Sequence, residues 1–332
     1  MQRDLLEPGA GGMRRMLTQL GSLATTLGSL ALLGGCSLLY QRTPIDPQAQ
    51  QVCFSSPFPE GHGHRGKHFQ HVLIIVLENQ GYDAVMRNGY FAYLASLGAN
   101  LENFHALFHP SYSNYLAMVS GTEIRSFADI QRTVDKPTIA CALHRQGLTW
   151  TAYAEDYVPG HDFCNVESRR GLFVRKHVPF LSFRAIQEDL RNGCSKVVPG
   201  TELLKTLERH ETLPSYMFFT PNMVHDGHDR SPDPRYTQLE YAANWLQHFL
   251  EDLDKYPDFR NQTLVLVTFD ESVATDATNH IYTVLLGPMV KKNSYTQSYT
   301  HYSVLRMIEN NFGLGTLADG DLLSNPVEVF MD

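Results

Sequence analysis

The chain has 332 residues, of which 43% are hydrophobic and 19% are charged. This length and composition suit one large α/β domain or two ordinary ones. The formal net charge of -8 argues against a nucleic-acid partner bound to a basic face, and an anionic substrate would need local arginines, lysines or metal ions to hold it.

The amino-terminal part of the chain has the pattern of an export signal. Two adjacent arginines, Arg14 and Arg15, precede an apolar stretch of small and aliphatic residues. The stretch ends in Leu-Gly-Gly-Cys36, which resembles a bacterial lipobox, in which the cysteine is lipidated and becomes the first mature residue. We therefore predict a signal peptide at residues 1–36 and a protein that is exported to the periplasm or the outer surface and anchored there by lipid.

Residues 37–67 are rich in Pro, Gly, Gln and His and show no periodicity, which predicts a flexible tether between the lipid and a catalytic domain at residues 68–332. Four further cysteines follow Cys36. In an oxidising compartment they would form two disulfides, with three possible pairings, and the alternative is four unrelated buried thiols. These residues are Cys53, Cys141, Cys164 and Cys194.

The first predicted element of the domain is a strand at residues 72–77, a short apolar run without polar alternation. Such a run is typical of a strand buried on both faces, as in a parallel sheet covered by helices. It ends abruptly in Glu78 and Asn79. This places a carboxylate at the carboxyl end of the sheet, where α/β proteins bind their ligands.

Predicted strands and helices alternate along the rest of the domain. Further strands are predicted at residues 149–155, 216–221, 263–268 and 279–287, and helices at residues 90–97, 138–146, 201–210 and 301–312. The Asp233-Pro234 pair predicts the start of another helix, because aspartate caps helices and proline suits the first helical position. The alternation predicts an α/β fold with a mostly parallel central sheet and helices on both faces.

Polar side chains follow three of the predicted strands and are expected to meet at one rim of the sheet. Carboxylates and imidazoles gathered there repel one another unless a positive charge lies between them, so we predict a divalent cation. The side chains concerned are Glu78 and Asn79, Asp270 and Glu271, and the His- and Asp-rich stretch at residues 222–228.

Ser111 is predicted to lie in a turn just before a helix that begins at Asn114. The backbone N–H groups and the dipole of a helix start favour an anion. A hydroxyl, a metal and an anion-binding backbone together indicate phosphoryl transfer to serine, with the metal lowering the pKa of the hydroxyl. The alternative is an ordinary capping role, the commonest one for serine at this place.

With these residues identified, the chain resembles the bacterial phosphoesterase family of acid phosphatases and phosphocholine-preferring phospholipases C, within the alkaline-phosphatase superfamily. The similar stretches run in order from residue 72 to residue 313 and include IIVLENQGYD, HPSYSNYLAMVSG, FFTPNMVHDGHD and TFDES. The ENxGYD and TFDES motifs are the most specific of them. The resemblance therefore covers the whole predicted domain.

The resemblance also implies roles for individual residues. Ser111 stands at the nucleophile position, in a Ser-Tyr-Ser-Asn turn that has Ser113 where related phosphodiesterases have proline. Sequence alone leaves open how the other polar groups divide between metal ligation, proton transfer and phosphate contact. We assign the metal to Glu78, Asn79, Ser111, Asp226, Asp270 and Glu271, catalysis to Ser111, His109 and His228, and substrate binding to Asn114, His177, His280 and His301.

We expect a metal-dependent phosphatase that hydrolyses phosphate monoesters through a phosphoseryl intermediate. The segments TWTAYAE and KHVPF resemble the shorter, phosphatase-type branch of the family. One alternative is a phospholipase C-type phosphodiesterase acting on a phospholipid headgroup. Another is a lipid-tethered binding protein without turnover, which the presence of all the metal carboxylates and the nucleophile disfavours. We expect no obligatory protein partner, no nucleic acid, and membrane contact through the lipid anchor only.

Overall fold

A computed structural model describes residues 53–54 and 66–331. The predicted signal peptide, the lipobox Cys36 and nearly all of the predicted tether lie outside the described residues. Among the residues that are described, no helix is both long enough and apolar enough to cross a membrane.

The strands, numbered along the described chain, are β1 (His71–Leu77), β2 (Ala99–Leu101), β3 (Phe104–His105), β4 (Trp150–Ala154), β5 (Arg169–Arg170), β6 (Phe173–Val174), β7 (Val197–Pro199), β8 (Tyr216–Thr220), β9 (Thr263–Phe269), β10 (Thr283–Leu286), β11 (Asn293–Tyr295) and β12 (Tyr299–Thr300). Eight of them form one sheet in the order β11-β2-β10-β9-β1-β8-β4-β7, and the others form two small two-stranded sheets, β3 with β12 and β5 with β6.

The predicted α/β fold with a mostly parallel sheet is confirmed, although the sheet is mixed. Strand β1 lies at its centre and runs parallel to both neighbours, β8 and β9. Strand β10 runs antiparallel to β9 and to β2. The strands predicted at residues 72–77, 216–221 and 263–268 are the central strands β1, β8 and β9. Their continuous apolar runs need cover on both faces, which a central position in the sheet provides.

Both faces of the central strands are buried, since successive side chains of a strand point to opposite sides. On one face Phe219 packs against Trp245 and Phe249, and on the other Phe218 packs against Phe180. The α-helices of the described chain are α1 (Tyr82–Met86), α2 (Gly89–Leu97), α3 (Ser111–Ser120), α4 (Ile139–Arg145), α5 (Arg184–Glu188), α6 (Glu202–Glu208), α7 (Gln238–Asp254), α8 (Pro257–Gln262), α9 (His301–Phe312) and α10 (Asp319–Leu323).

The predicted helix start at Asp233-Pro234 is wrong. The Asp233 carboxylate instead accepts hydrogen bonds from the backbone N–H and the guanidinium of Arg235, which closes a local turn. Helix α7 begins at Gln238, where Thr237 and Glu240 form a reciprocal capping box.

The prediction of two disulfides is confirmed. Cys53 pairs with Cys141, and Cys164 pairs with Cys194. The first bridge ties the amino-terminal segment to α4. The second closes a loop within the segment between β4 and β7, which contains the two-residue strands β5 and β6 and the five-residue helix α5.

Candidate active site

The carboxyl ends of β1, β8 and β9 meet, as the sequence predicted. The Glu78 N–H donates to the Asp226 carbonyl at 2.8 Å, and the Asn79 N–H donates to Asp270 Oδ1 at 3.1 Å. Asn79 takes a left-handed backbone with φ of 56°, which turns the chain away from β1 directly after the strand. Backbone contacts between the strand ends therefore set the spacing of the acidic side chains.

Ser111 lies among these carboxylates. Its Oγ donates to Glu271 Oε1 at 2.8 Å and lies 3.3 Å from Glu78 Oε2. The side-chain nitrogen of Asn79 lies 3.5 Å from Ser111 Oγ. Ser111 is the first residue of α3 rather than part of a turn before the helix, so the predicted start at Asn114 is three residues late. The capping position belongs to Pro110, which leaves the Ser111 hydroxyl free of that role.

The acidic side chains of the rim are deeply buried, and burial changes their acidity. Burial raises the pKa of Asp270 to about 7, and the neighbouring Glu271 charge adds to the rise. Burial also raises the pKa of Glu78 and of Asp226 well above their usual values, with the Asp270 charge contributing to both. These groups are stable as carboxylates only where a positive charge compensates them.

The donor chemistry of the rim fits a divalent cation. Within residues 53–54 and 66–331, Asp226 Oδ2 and Asp270 Oδ2 are buried and have no hydrogen-bond partner. Buried oxygen ligands of this kind suit hard or borderline divalent ions. In the described part of the chain, no group of three or more His, Cys, Asp or Glu side chains is arranged closely enough to coordinate a metal ion. The Asn79 amide and the Ser111 hydroxyl lie between Glu78 and Glu271 instead.

His177 is a neutral histidine between two of the carboxylates. Its Nε2 lies 3.1 Å from Glu78 Oε1 and its Nδ1 lies 3.5 Å from Asp226 Oδ2. Burial lowers the pKa of His177 well below its usual value, and the positive charge of Lys176 lowers it further. The imidazole stacks on Tyr115, with ring centroids 5.2 Å apart.

Three other predicted histidines contact the rim from its edges. His109 pairs with Glu271 Oε2 and is partly exposed. His301 is buried and its Nε2 donates to the Asp270 carbonyl at 2.8 Å, and burial lowers its pKa to about 4. The backbone N–H of His228 donates to Asp226 Oδ1 at 2.8 Å. The His228 side chain pairs through Nδ1 with a carboxylate oxygen of the adjacent Asp229 at 2.9 Å.

Two predicted substrate-binding residues have other contacts. The Asn114 amide accepts the N–H groups of Leu107 and Phe108 and donates to the Phe108 carbonyl, so it orders the loop that leads to Ser111. His280 Nε2 bonds to the Glu102 carbonyl at 2.8 Å, and its ring stacks on Tyr82. The structure therefore does not bring these two side chains to Ser111.

Two side chains with no predicted role belong to the site. The Tyr115 hydroxyl donates to Glu78 Oε1 at 2.7 Å. Tyr115 follows Ser111 by four residues, and this helical spacing is a signal that would have found it. The charge of Lys176 lowers the pKa of Glu78, Asp226 and Asp270, and its position next to His177 was the only indication in the sequence.

The chain matches the model of the phosphoesterase family over residues 87–315. It is 34% identical to the probable acid phosphatase of Kluyveromyces lactis, over 80% of this chain and 63% of that protein. It is 31% identical to the acid phosphatase of Aspergillus niger, over 89% of this chain and 72% of that protein. It is 28% identical to the phosphatidylinositol-3-phosphatase of Mycobacterium tuberculosis, over 92% of this chain and 93% of that protein.

Solved structures extend the comparison to the fold. A protein of the alkaline-phosphatase superfamily from Vibrio parahaemolyticus superposes with a TM-score of 0.55 at 13% identity, over 82% of this chain and 76% of that one. Murine ectonucleotide pyrophosphatase/phosphodiesterase 5 gives a TM-score of 0.51 at 12% identity, over 75% of this chain and 96% of that one. At these identities the likeness shows the fold alone, which is that of the superfamily.

Proposed function

The chain belongs to the phosphoesterase family, and from that premise we propose that it hydrolyses phosphate monoesters through a phosphoserine formed on Ser111. The observation that carries the proposal is the Ser111 hydroxyl, hydrogen-bonded to a buried glutamate at the first position of a helix. The names of the relatives describe phosphatases, in fungi and in a bacterium, which supports monoesters over the diesters of a phospholipase C.

In the proposed reaction Ser111 Oγ attacks the phosphorus, the ester oxygen leaves, and water then cleaves the phosphoserine. Glu271 Oε1 lies 2.8 Å from Ser111 Oγ, closer than Glu78 Oε2 at 3.3 Å, and is the nearest carboxylate acceptor for the proton. His109 is held by Glu271 and by the Asp276 carbonyl at 3.1 Å. We assign proton transfer at the leaving oxygen to His109 and His228, the two partly exposed histidines of the rim.

A divalent cation completes the proposed site. The residues that would hold it are Glu78, Asn79, Ser111, Asp226, Asp270 and Glu271. Such an ion lowers the pKa of a bound hydroxyl and neutralises phosphoryl oxygens. The support for it is the two unpartnered buried carboxylate oxygens and the raised pKa values of Glu78, Asp226 and Asp270. The imidazole ring of His177 lies between the carboxylates of Glu78 and Asp226 and keeps them apart.

We further propose that the protein works outside the cytoplasm, tethered by lipid on Cys36. Two disulfides support export, because such bridges persist in oxidising compartments. Cys36→Ser is expected to move the protein from the membrane fraction to the soluble fraction, as seen by fractionation and blotting. Membrane association that is unchanged in a correctly processed Cys36→Ser protein would contradict the anchor.

The test of the function compares a monoester with a diester. Purified protein is assayed with para-nitrophenyl phosphate and with bis(para-nitrophenyl) phosphate, each with and without a chelator. We expect turnover of the monoester that chelation removes. Preferred turnover of the diester would favour the phospholipase C-type alternative, and binding of orthovanadate without turnover of either ester would favour the binding protein.

A further inference from the structure

One carboxylate joins the helix of Ser111 to the segment that carries His177. Asp129 lies in the loop between α3 and α4, with a left-handed φ of 52°, a conformation that aspartate adopts more readily than most residues. Its Oδ1 accepts the Tyr112 N–H at 2.9 Å, and its Oδ2 accepts Lys176 Nζ at 2.7 Å. Asp129 therefore contacts the residue after Ser111 and the residue before His177.

Helix α3 depends on this contact because its own capping residue has no polar side chain. Pro110 occupies the capping position, so the first N–H groups of the helix need acceptors from elsewhere. Asp129 supplies one of them at Tyr112. The same loop holds the first turn at a second point, where the Ser126 N–H donates to Ser113 Oγ at 2.9 Å. The orientation of Ser111 is thus set by a loop outside the helix.

Lys176 brings a positive charge to the same place. Its side chain is only 14% exposed, and burial alone would lower its pKa, but Glu78, Asp129 and Asp270 together raise it. The ammonium therefore stays charged, and this charge favours the ionised form of the rim carboxylates. Asp129 holds the ammonium by a hydrogen-bonded ion pair and so fixes the position of that charge.

We propose that Asp129 is a positioning residue for the reaction: it orients Ser111 through the first turn of α3 and fixes Lys176 beside the buried carboxylates. The inference rests on the proposed role of Ser111 as the nucleophile. Because one carboxylate makes both contacts, its removal changes the direction of the nucleophile and the charge near the phosphate together. Two substitutions separate these effects.

Asp129→Ala removes both contacts, whereas Asp129→Asn keeps an acceptor for the Tyr112 N–H and removes only the charge that pairs with Lys176. For Asp129→Ala we expect kcat with para-nitrophenyl phosphate to fall by about 100-fold, the scale for a misplaced reacting group. For Asp129→Asn we expect a smaller loss. In both variants Lys176 lacks its anionic partner, so inorganic phosphate should inhibit at lower concentrations than in the wild type.

Hydrogen exchange of the peptide that contains Tyr112 gives a readout independent of activity. It should be faster in Asp129→Ala and close to wild type in Asp129→Asn. The matched control is Asp135→Ala in the same loop, whose carboxylate is 72% exposed and pairs with Arg184 at 3.5 Å. It should leave kcat, phosphate inhibition and exchange unchanged.

A folded Asp129→Ala protein with wild-type kcat, phosphate inhibition and exchange would overturn the proposal. A merely structural role would lower the melting temperature without changing kcat or phosphate inhibition in the folded fraction. If Asp129→Ala does not fold, wild-type phosphate inhibition in Asp129→Asn overturns the proposal instead. If the wild type and Asp135→Ala both lack turnover, the proposed function fails, while exchange and calorimetric phosphate binding still test Asp129.

Discussion

Within residues 53–54 and 66–331, buried carboxyl groups lie in two places: at the rim beside Ser111, and between α9 and α10, where Glu309 lies close to Asp321. In both places burial raises the pKa, to about 7 for Asp270 and to about 10 for Glu309. The surroundings differ. The Asp270 carboxylate accepts the Asn79 backbone N–H and interacts with the Ser111 hydroxyl, and His301 donates to its backbone carbonyl, whereas Glu309 has Arg306 Nη1 at 3.5 Å.

The difference separates the candidate active site from a structural cluster of carboxyl groups. Asp321 accepts the backbone N–H groups of Leu317 and Ala318, at 2.7 and 2.9 Å, and so caps the start of α10. The rim carboxylates instead surround a side chain that can act as a nucleophile, and the partly exposed His109 pairs with one of them, Glu271. A strongly raised pKa therefore indicates a functional site only where nucleophile and proton-transfer groups accompany it.

The largest expected effect comes from removing the proposed nucleophile at the rim, the Ser111 hydroxyl. Ser111→Ala should lower kcat by about three orders of magnitude or more, as is usual when a nucleophile is lost from a preorganised site. Orthovanadate binding should persist, because the proposed cation and the backbone N–H groups at the start of α3 would hold most of the anion's charge. Ser111→Thr keeps the oxygen and is the control. A folded Ser111→Ala protein with near-normal kcat would refute the assignment.

The next effect concerns the charge that the rim requires. Chelation should abolish turnover. Substituting a residue that only supports a metal ligand typically weakens metal affinity by roughly 10- to 100-fold, and Asp270→Asn, which changes a proposed ligand itself, should weaken it by at least as much. Isothermal titration with divalent cations measures the affinity. Asp321→Asn, at the structural cluster, should leave the metal affinity unchanged. Full activity in protein that elemental analysis shows to be metal-free would contradict the cation.

A smaller effect is expected where the rim carboxylate loses only a hydrogen bond. Tyr115→Phe removes the donor to Glu78 Oε1 and should lower the free energy of unfolding by about 1.5–3 kcal/mol, the range for hydrogen bonds to charged groups. Tyr302→Phe is the matched control, because among the described residues its buried hydroxyl has no hydrogen-bond partner. Equal losses in chemical denaturation would show that the bond to Glu78 contributes nothing specific.

The comparison also shows what the sequence could predict. Glu78 and Asp270 follow apolar runs that can only be central strands, so their convergence was predictable from strand ends alone. The predicted start of α3 is late because an acceptor for its first N–H groups comes from Asp129, through a tertiary contact that leaves no local pattern. The predicted start of α7 is early because Asp233 closes a turn and does not cap the helix. Asn114 and His280 have polar side chains of the kind that bind substrates, but in the structure these side chains hydrogen-bond to nearby backbone carbonyls.

The smallest effect on activity, and the sharpest contrast with the rim, is expected at Glu309. Its pKa is raised to about 10 in the folded protein, whereas in the unfolded chain it returns to the ordinary value of a glutamate. Above that ordinary value the unfolded chain releases the proton while the folded chain keeps it. The contribution of Glu309 to stability is therefore complete at acidic pH and is lost as the pH rises toward 10.

Glu309→Gln removes this titration and keeps the size of the side chain. Its stability relative to the wild type should rise with pH between neutral and alkaline conditions, by at most about 1.4 kcal/mol per pH unit. Denaturant unfolding at several pH values measures the difference, and kcat should stay at the wild-type value because Glu309 lies away from Ser111. Glu188→Gln, on a side chain that is 66% exposed, is the control and should run parallel to the wild type. Parallel curves for Glu309→Gln as well would show that this carboxyl group titrates normally, and that burial on α9 is not equivalent to burial at the rim.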